Sequence, residues 1–167
     1  MAKNYPAKKF YIKTGEALWQ AKQKCPNLIV VPPDFRKYLR FSRLARKIYE
    51  EYTDQIEAFG IDECWLDVTG STHLFGDGKY IGNTIRQRFK DELGLTGSVG
   101  VSWNKIFAKL GSDIKKPDAT TVITQENYKD IVWKLPVGEL LYVGSSTRKK
   151  LNNRAIFTIG DLAQKRC

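Results

Sequence analysis

Apolar residues along this chain change their spacing several times, and the changes mark out its elements. Over residues 34–52, Tyr38, Phe41, Ala45, Ile48 and Tyr52 fall on one side of a helix, and Arg36, Arg40, Arg43 and Lys47 fall on the other. That cationic stripe suits a solvated face and a phosphate contact equally well. A second helix is predicted over residues 77–93, where Ile81, Ile85, Phe89 and Leu93 recur every fourth position before Gly94. Between the two helices lie two short β-forming runs, Ile56-Glu57-Ala58-Phe59 and the apolar residues around Cys64-Trp65-Leu66. Gly60 to Glu63 joins them, which predicts an antiparallel hairpin with carboxylates at its bend. Gly97-Ser98-Val99-Gly100-Val101-Ser102 reads as a buried strand with little side-chain bulk, where the glycines admit another backbone or a ligand. Asn104 can cap a helix running through Leu110 and ending near Lys115-Lys116-Pro117, and Thr121 to Ile123 supplies one more short strand.

The flanks read differently. A short helix is predicted over residues 16–25, begun near Thr14 and stopped by Pro26; residues 27–31 read as a brief strand, and Pro32-Pro33 closes this small subdomain. Toward the other end, a helix over residues 125–135 stops at Pro136. Two more short helices, one through Arg148-Lys149-Lys150-Leu151 and one within residues 156–163, form a hairpin with glycine-containing turns. Exposed backbone N–H groups in such a hairpin can hold a DNA phosphate without reading sequence. The order helix, strand, strand, helix, strand, helix, strand over residues 34–123 predicts a ferredoxin-like α+β layer. Its opening strand is not evident, since only Leu28 to Val31 precedes the helix, and that strand is expected upstream of Met1.

Composition narrows the class. A chain of 167 residues can bury one good core and a small appendage, and 42% hydrophobic with 28% charged residues is ordinary for a globular protein. No apolar run approaches a membrane span and no signal peptide is evident, so a cytoplasmic protein is expected. Cys25, Cys64 and Cys167 are too widely spaced for a zinc cluster and are read as reduced thiols. His73 is the single histidine and is read as a surface loop residue. A net charge of +10 suits a polyanion partner, although solubility alone also accounts for it. The distribution says more. Basic residues gather at Lys3 to Lys13, Arg36 to Lys47, Lys105 to Lys116 and Arg148 to Arg154, whereas acids concentrate between Asp54 and Asp67.

A compact acidic centre within a basic protein is what a metal site in a nucleic-acid enzyme would look like. Adjacent carboxylates repel one another, and a dication removes that repulsion while attracting a phosphate. On the hairpin alone, Asp62-Glu63 reads more simply as a solvated turn and Asp67 as an outward strand residue; the basic surroundings favour the metal site.

Several blocks together resemble the Y-family translesion DNA polymerases. Gly60-Ile-Asp-Glu-Cys-Trp-Leu-Asp67 is similar to that family's Ser-Ile-Asp-Glu-Ala-Tyr-Leu-Asp signature, and Ser98 to Pro117 to its second palm block. Asn4-Tyr-Pro-Ala-Lys-Lys-Phe10 with Lys13-Thr-Gly15 resembles its fingers motif, and Gly144 to Leu162 its thumb helix-hairpin-helix. The resemblance implies partial fingers over residues 1–33, a palm over 34–124 and the start of a thumb over 125–167. It further implies template-directed nucleotidyl transfer from a dNTP to a primer 3′-hydroxyl, with primer–template DNA, damaged DNA included, as partner. Two Mg2+ ions would assist, with Asp62 and Glu63 as catalytic metal ligands. Tyr5, Lys8 and Lys116 would grip the triphosphate, Gly144, Ser145 and Lys149 would contact DNA, and Asp67 would be structural.

Four positions depart from the family pattern. Lys8 stands for Arg, Tyr11 for Gly, Gly60 for Ser, and Tyr142 for the first glycine of Gly-Val-Gly. The family's first palm strand, with a further metal-binding Asp, and its C-terminal little finger have no counterpart. An inactive internal fragment is therefore expected, meeting a sliding clamp only through a region beyond Cys167. Two other readings are a non-catalytic DNA-binding or scaffold protein and, more remotely, another palm-based metal enzyme.

Overall fold

The computed structural model describes residues 2–165 and separates the chain into two compact units, residues 1–35 and 36–167. Cys167 lies outside the described residues.

In the first unit, Asn4 caps α1 (Tyr5–Lys9) by accepting from Ala7 N at 3.1 Å. Tyr11 then takes a left-handed φ of 56°. Helix α2 (Leu18–Lys24) packs Ala21 against Ala7 and Ile12, with Cys25 and Leu28 at the margin. Lys24 pairs with Glu16 and also donates to the Tyr11 carbonyl, fixing the turn between the helices. The strand expected over residues 27–31 is absent. A strand needs a ladder partner and a covered face; this segment has no ladder partner among the described residues, and beyond Leu28 it is exposed, Ile29 at 86%.

The second unit is built around two small cores. Helix α3 (Phe35–Glu50) leads into β1 (Ile56–Phe59), which pairs antiparallel with β2 (Glu63–Leu66). A 3-10 turn and the short α4 (Thr72–Phe75) follow, so His73 lies exposed on a helical turn rather than in a loop. Asp77 caps α5 (Gly78–Leu93), and Gly94 at φ 64° ends it. Ile81 and Ile85 from α5 meet Ile48 and Tyr52, with Leu66 and Phe75 against them. The remaining strands, β3 (Val99–Val101) and β4 (Thr120–Val122), run parallel, connected through α6 (Lys105–Ile114). Gly100 is obligatory here: a Cβ on it would lie 1.8 Å from the Ala108 carbonyl oxygen, so α6 rests its backbone directly on the strand.

Among the described residues the strands form two separate pairs rather than one layer. The outer edges of β2 and β3 find no ladder partner among them.

Beyond β4 the predicted helix over residues 125–135 shortens to α7 (Tyr128–Ile131). Asn127 accepts from Thr124 N at 2.8 Å, which turns the chain before the helix can start. Helices α8 (Ser145–Asn152) and α9 (Ile159–Gln164) complete the unit. Their link carries no glycine, and its tight turn falls on Ala155 at φ 57°. Ile159 N donates to Leu135 O at 2.9 Å and Gly160 N to Trp133 O at 3.0 Å, which ties α9 to the α7 segment.

Candidate active site

Register decides which hairpin side chains share a face. Glu57 lies opposite Trp65 and Phe59 opposite Glu63, so these four project from one face while Ile56, Ala58, Cys64 and Leu66 project from the other. The second face carries Leu66 into the core. The first face meets α6, where Lys105 pairs with Glu57 at 2.7 Å and Lys109, one helical turn on, pairs with Glu63 at 3.0 Å. Trp65 Nε1 also donates to the Lys105 carbonyl at 3.0 Å, and its ring lies 4.8 Å from that of Phe59. Glu63 is thus aimed at α6 by the pleat and held there by a cation.

Asp62 occupies the exposed bend between Gly60 and Glu63. The left-handed φ of 79° at Gly60 lets the chain reverse within so short a turn, and a residue with a Cβ would be strained there. Burial pushes the Tyr49 hydroxyl well above its usual range, and the charges of Cys64 and Asp62 add to the effect. Burial likewise raises the Cys64 thiol against the opposing influence of Arg46, which makes it a poor nucleophile.

Glu63 is one end of a chain of alternating charges. Lys109 bonds Asp113 at 2.7 Å as well as Glu63, and the second oxygen of Asp113 holds Lys116 at 2.6 Å. Burial lowers the Lys109 ammonium, but the hydrogen bonds it donates to Asp113 and Glu63 outweigh that and hold the group above its ordinary value. Burial raises the Asp113 carboxyl, and the hydrogen bonds of Lys109 and Lys116 turn that into a net depression. Glu63 and Lys116, fifty-odd residues apart in sequence, are therefore linked through two residues that the sequence reading did not single out. Lys109 and Asp113 are spaced four apart on a helix already expected, so their pairing was legible; their reach to Glu63 depends on tertiary packing and was not.

The other candidates lie elsewhere. In the first unit, the Lys8 ammonium sits 4.6 Å from the centre of the Tyr5 ring, and both side chains are exposed. Gly144 is the N-cap residue of α8 and Ser145 its first residue, with no side chain capping that end; Lys149 lies exposed on the same helix. The Thr69 side chain, and then the Thr69 N–H that Asp67 accepts at 2.9 Å, hold the Asp67 carboxyl below the usual range and close the turn after β2. Arg36, Arg40, Arg43 and Lys47 are exposed along α3.

Asp62 and Glu63 fit a hard dication in kind, since carboxylate oxygens are its preferred ligands. Their four carboxylate oxygens cannot alone complete a shell of roughly six. Among the described residues no group of three or more His, Cys, Asp or Glu stands together as a ready-made metal cluster. Nor does any helix among those residues have the length and apolarity to cross a membrane.

Comparison with known proteins adds an independent finding. Residues 1–113 match the impB/mucB/samB family. The chain is 65% identical over 163 residues to DNA polymerase IV of Acetivibrio thermocellus, covering 98% of this chain and 41% of that protein. It is 42% identical over 160 residues to DNA polymerase IV 1 of Bacillus subtilis, covering 96% of this chain and 38% of the relative. Among solved structures, an insertion ternary complex of Dbh DNA polymerase superposes with a TM-score of 0.89 at 32% identity, over 98% of this chain and 48% of that one. DinB from Sulfolobus solfataricus gives 0.87 at 32% identity, over 98% and 48%. This chain therefore spans about two fifths of the length of these curated relatives.

Proposed function

Because this chain belongs to the impB/mucB/samB family, we propose that it carries the nucleotidyl-transfer centre of a translesion DNA polymerase acting in damage bypass. The observation that carries the reading is the hairpin. It fixes Asp62 in a bend and Glu63 at the start of a strand, on a chain 65% identical to a DNA polymerase IV. Residues 1–33 are read as part of the fingers, 34–124 as a ferredoxin-like palm and 125–167 as the start of the thumb. The substrates are primer–template DNA, damaged templates included, and a dNTP, in the cytoplasm. A sliding clamp would be met through other parts of the protein.

In this reading Asp62 and Glu63 hold two Mg2+ ions, which when bound neutralise phosphate oxygens and favour the ionised primer hydroxyl. The protein's own part is positional. Lys116 and Lys8 offer ammonium charges to the triphosphate, and the Lys8 ammonium lies over the Tyr5 ring. Lys8 presents a point charge where a guanidinium would make a fork, so it steers the phosphate with less angular control. The start of α8 offers Ser145 N–H and the nearby Lys149 to a DNA phosphate, a contact indifferent to sequence.

The test is single-nucleotide insertion by the full-length protein with Mg2+, opposite an undamaged base and opposite an abasic site. Template-dependent insertion on both supports the proposal. DNA binding without insertion on either template contradicts it.

A further inference from the structure

Lys109 presents a difficulty for any cation at the acidic pair. Its ammonium stands 3.0 Å from Glu63 Oε1, and its side chain is only 17% exposed, so solvent screens its charge poorly. A dication approaching Glu63 meets a fixed positive charge already there. Asp113 offsets that charge. It binds Lys109 at 2.7 Å, closer than Glu63 does, and holds Lys116 through its other oxygen at 2.6 Å. One carboxylate thus gathers both ammonium groups at the end of α6.

We propose that Asp113 is a positioning residue for the acidic pair: by retaining Lys109 and Lys116 it keeps Glu63 available to a divalent cation. This rests on the reading of Asp62 and Glu63 as cation ligands. Without Asp113, Lys109 has Glu63 as its remaining partner in this network. A half-buried lysine would then hold that carboxylate in a lasting ion pair, because releasing it would leave an uncompensated charge. Cation binding would have to break that pair. With Asp113 present, Lys109 shifts its weight to a partner it already touches, and Glu63 is released at little cost. The same exchange leaves Lys116 within reach of Asp113 until an anion draws it away.

The experiment is Mn2+ titration of the full-length protein, following free Mn2+ by electron paramagnetic resonance, with Asp62→Asn/Glu63→Gln defining the signal from the pair. Asp113→Asn is expected to weaken pair-dependent Mn2+ binding about tenfold. Adding Lys109→Met to Asp113→Asn should return affinity to the wild-type value or better, an outcome that simple loss of folding could not give. Lys109→Met alone should not weaken binding. An Asp113→Asn protein with unchanged affinity overturns the proposal, as does a loss that Lys109→Met does not rescue. If the wild type shows no pair-dependent Mn2+ binding, the cation-site reading itself fails and this proposal falls with it. That result is distinguishable, because then no member of the set binds.

Discussion

Tyr142 and Tyr11 are two of the residues where side chain and backbone disagree. Both take a left-handed φ, 69° and 56°, and both side chains are largely exposed, at 79% and 84%. A Cβ in that region costs about 1–2 kcal/mol, and neither ring buries enough surface to compensate. The backbone at both positions is one that glycine adopts freely, and glycine is what the polymerase resemblance leads one to expect there. Tyr142→Gly is accordingly expected to stabilise the protein by about 0.5–1 kcal/mol, after allowing for the greater freedom of glycine in the unfolded chain. Thermal melting checks this, and a lower midpoint for the variant would contradict it. At this scale the sequence was a good guide to identity and a poor one to partnership. Asn104, Asp77 and Gly94 cap and end helices as their types suggest. Nothing in the spacing of Glu63 and Lys109 announces that they meet, because forty-six positions separate them and only packing of α6 on the hairpin joins them.

Among the elements, those with a strong period were the legible ones. Helices α3 and α5 and the β1–β2 hairpin lie close to where their patterns put them, because each has one face to bury and a core to bury it in. Residues 27–31 misled because a short apolar run gives no sign of whether a partner strand stands beside it. Helix α7 came out shorter because Thr124 and Asn127 spend their hydrogen bonds on a turn. One clip between elements was invisible beforehand. Asp118, at φ 53° before β4, accepts from Arg86 Nε at 3.1 Å and pairs with Lys90 at 2.6 Å, both from α5. Its hydrogen bond from Lys90, then that from Arg86, holds the carboxyl below its ordinary value. A carboxylate depressed by folding contributes stability above its unfolded pKa, near 4, and loses that contribution as pH falls through the folded value. Denaturant midpoints measured from neutral pH downward should therefore fall more steeply for the wild type than for Asp118→Asn. Asparagine tolerates the same backbone, so parallel curves would show that the clip does not act through charge.

Across the whole molecule, charge arrangement and family membership point the same way. Twenty-eight basic residues stand against eighteen acidic ones, and the acids concentrate between Asp54 and Asp67, which suits a centre that must hold dications while drawing in a polyanion. The sequence carried this much, including the order of the blocks. It did not carry the division of the strands into two pairs, which follows from which edges find partners among the described residues. The central claim is that Asp62 and Glu63 perform chemistry rather than bind DNA. Single-nucleotide insertion and DNA affinity, measured side by side in the full-length protein and its Asp62→Asn and Glu63→Gln variants, test it most directly. Each variant is expected to lose insertion by roughly 1,000-fold or more, with DNA affinity kept within about twofold. Insertion that survives both substitutions, or falls only in step with DNA affinity, would contradict it.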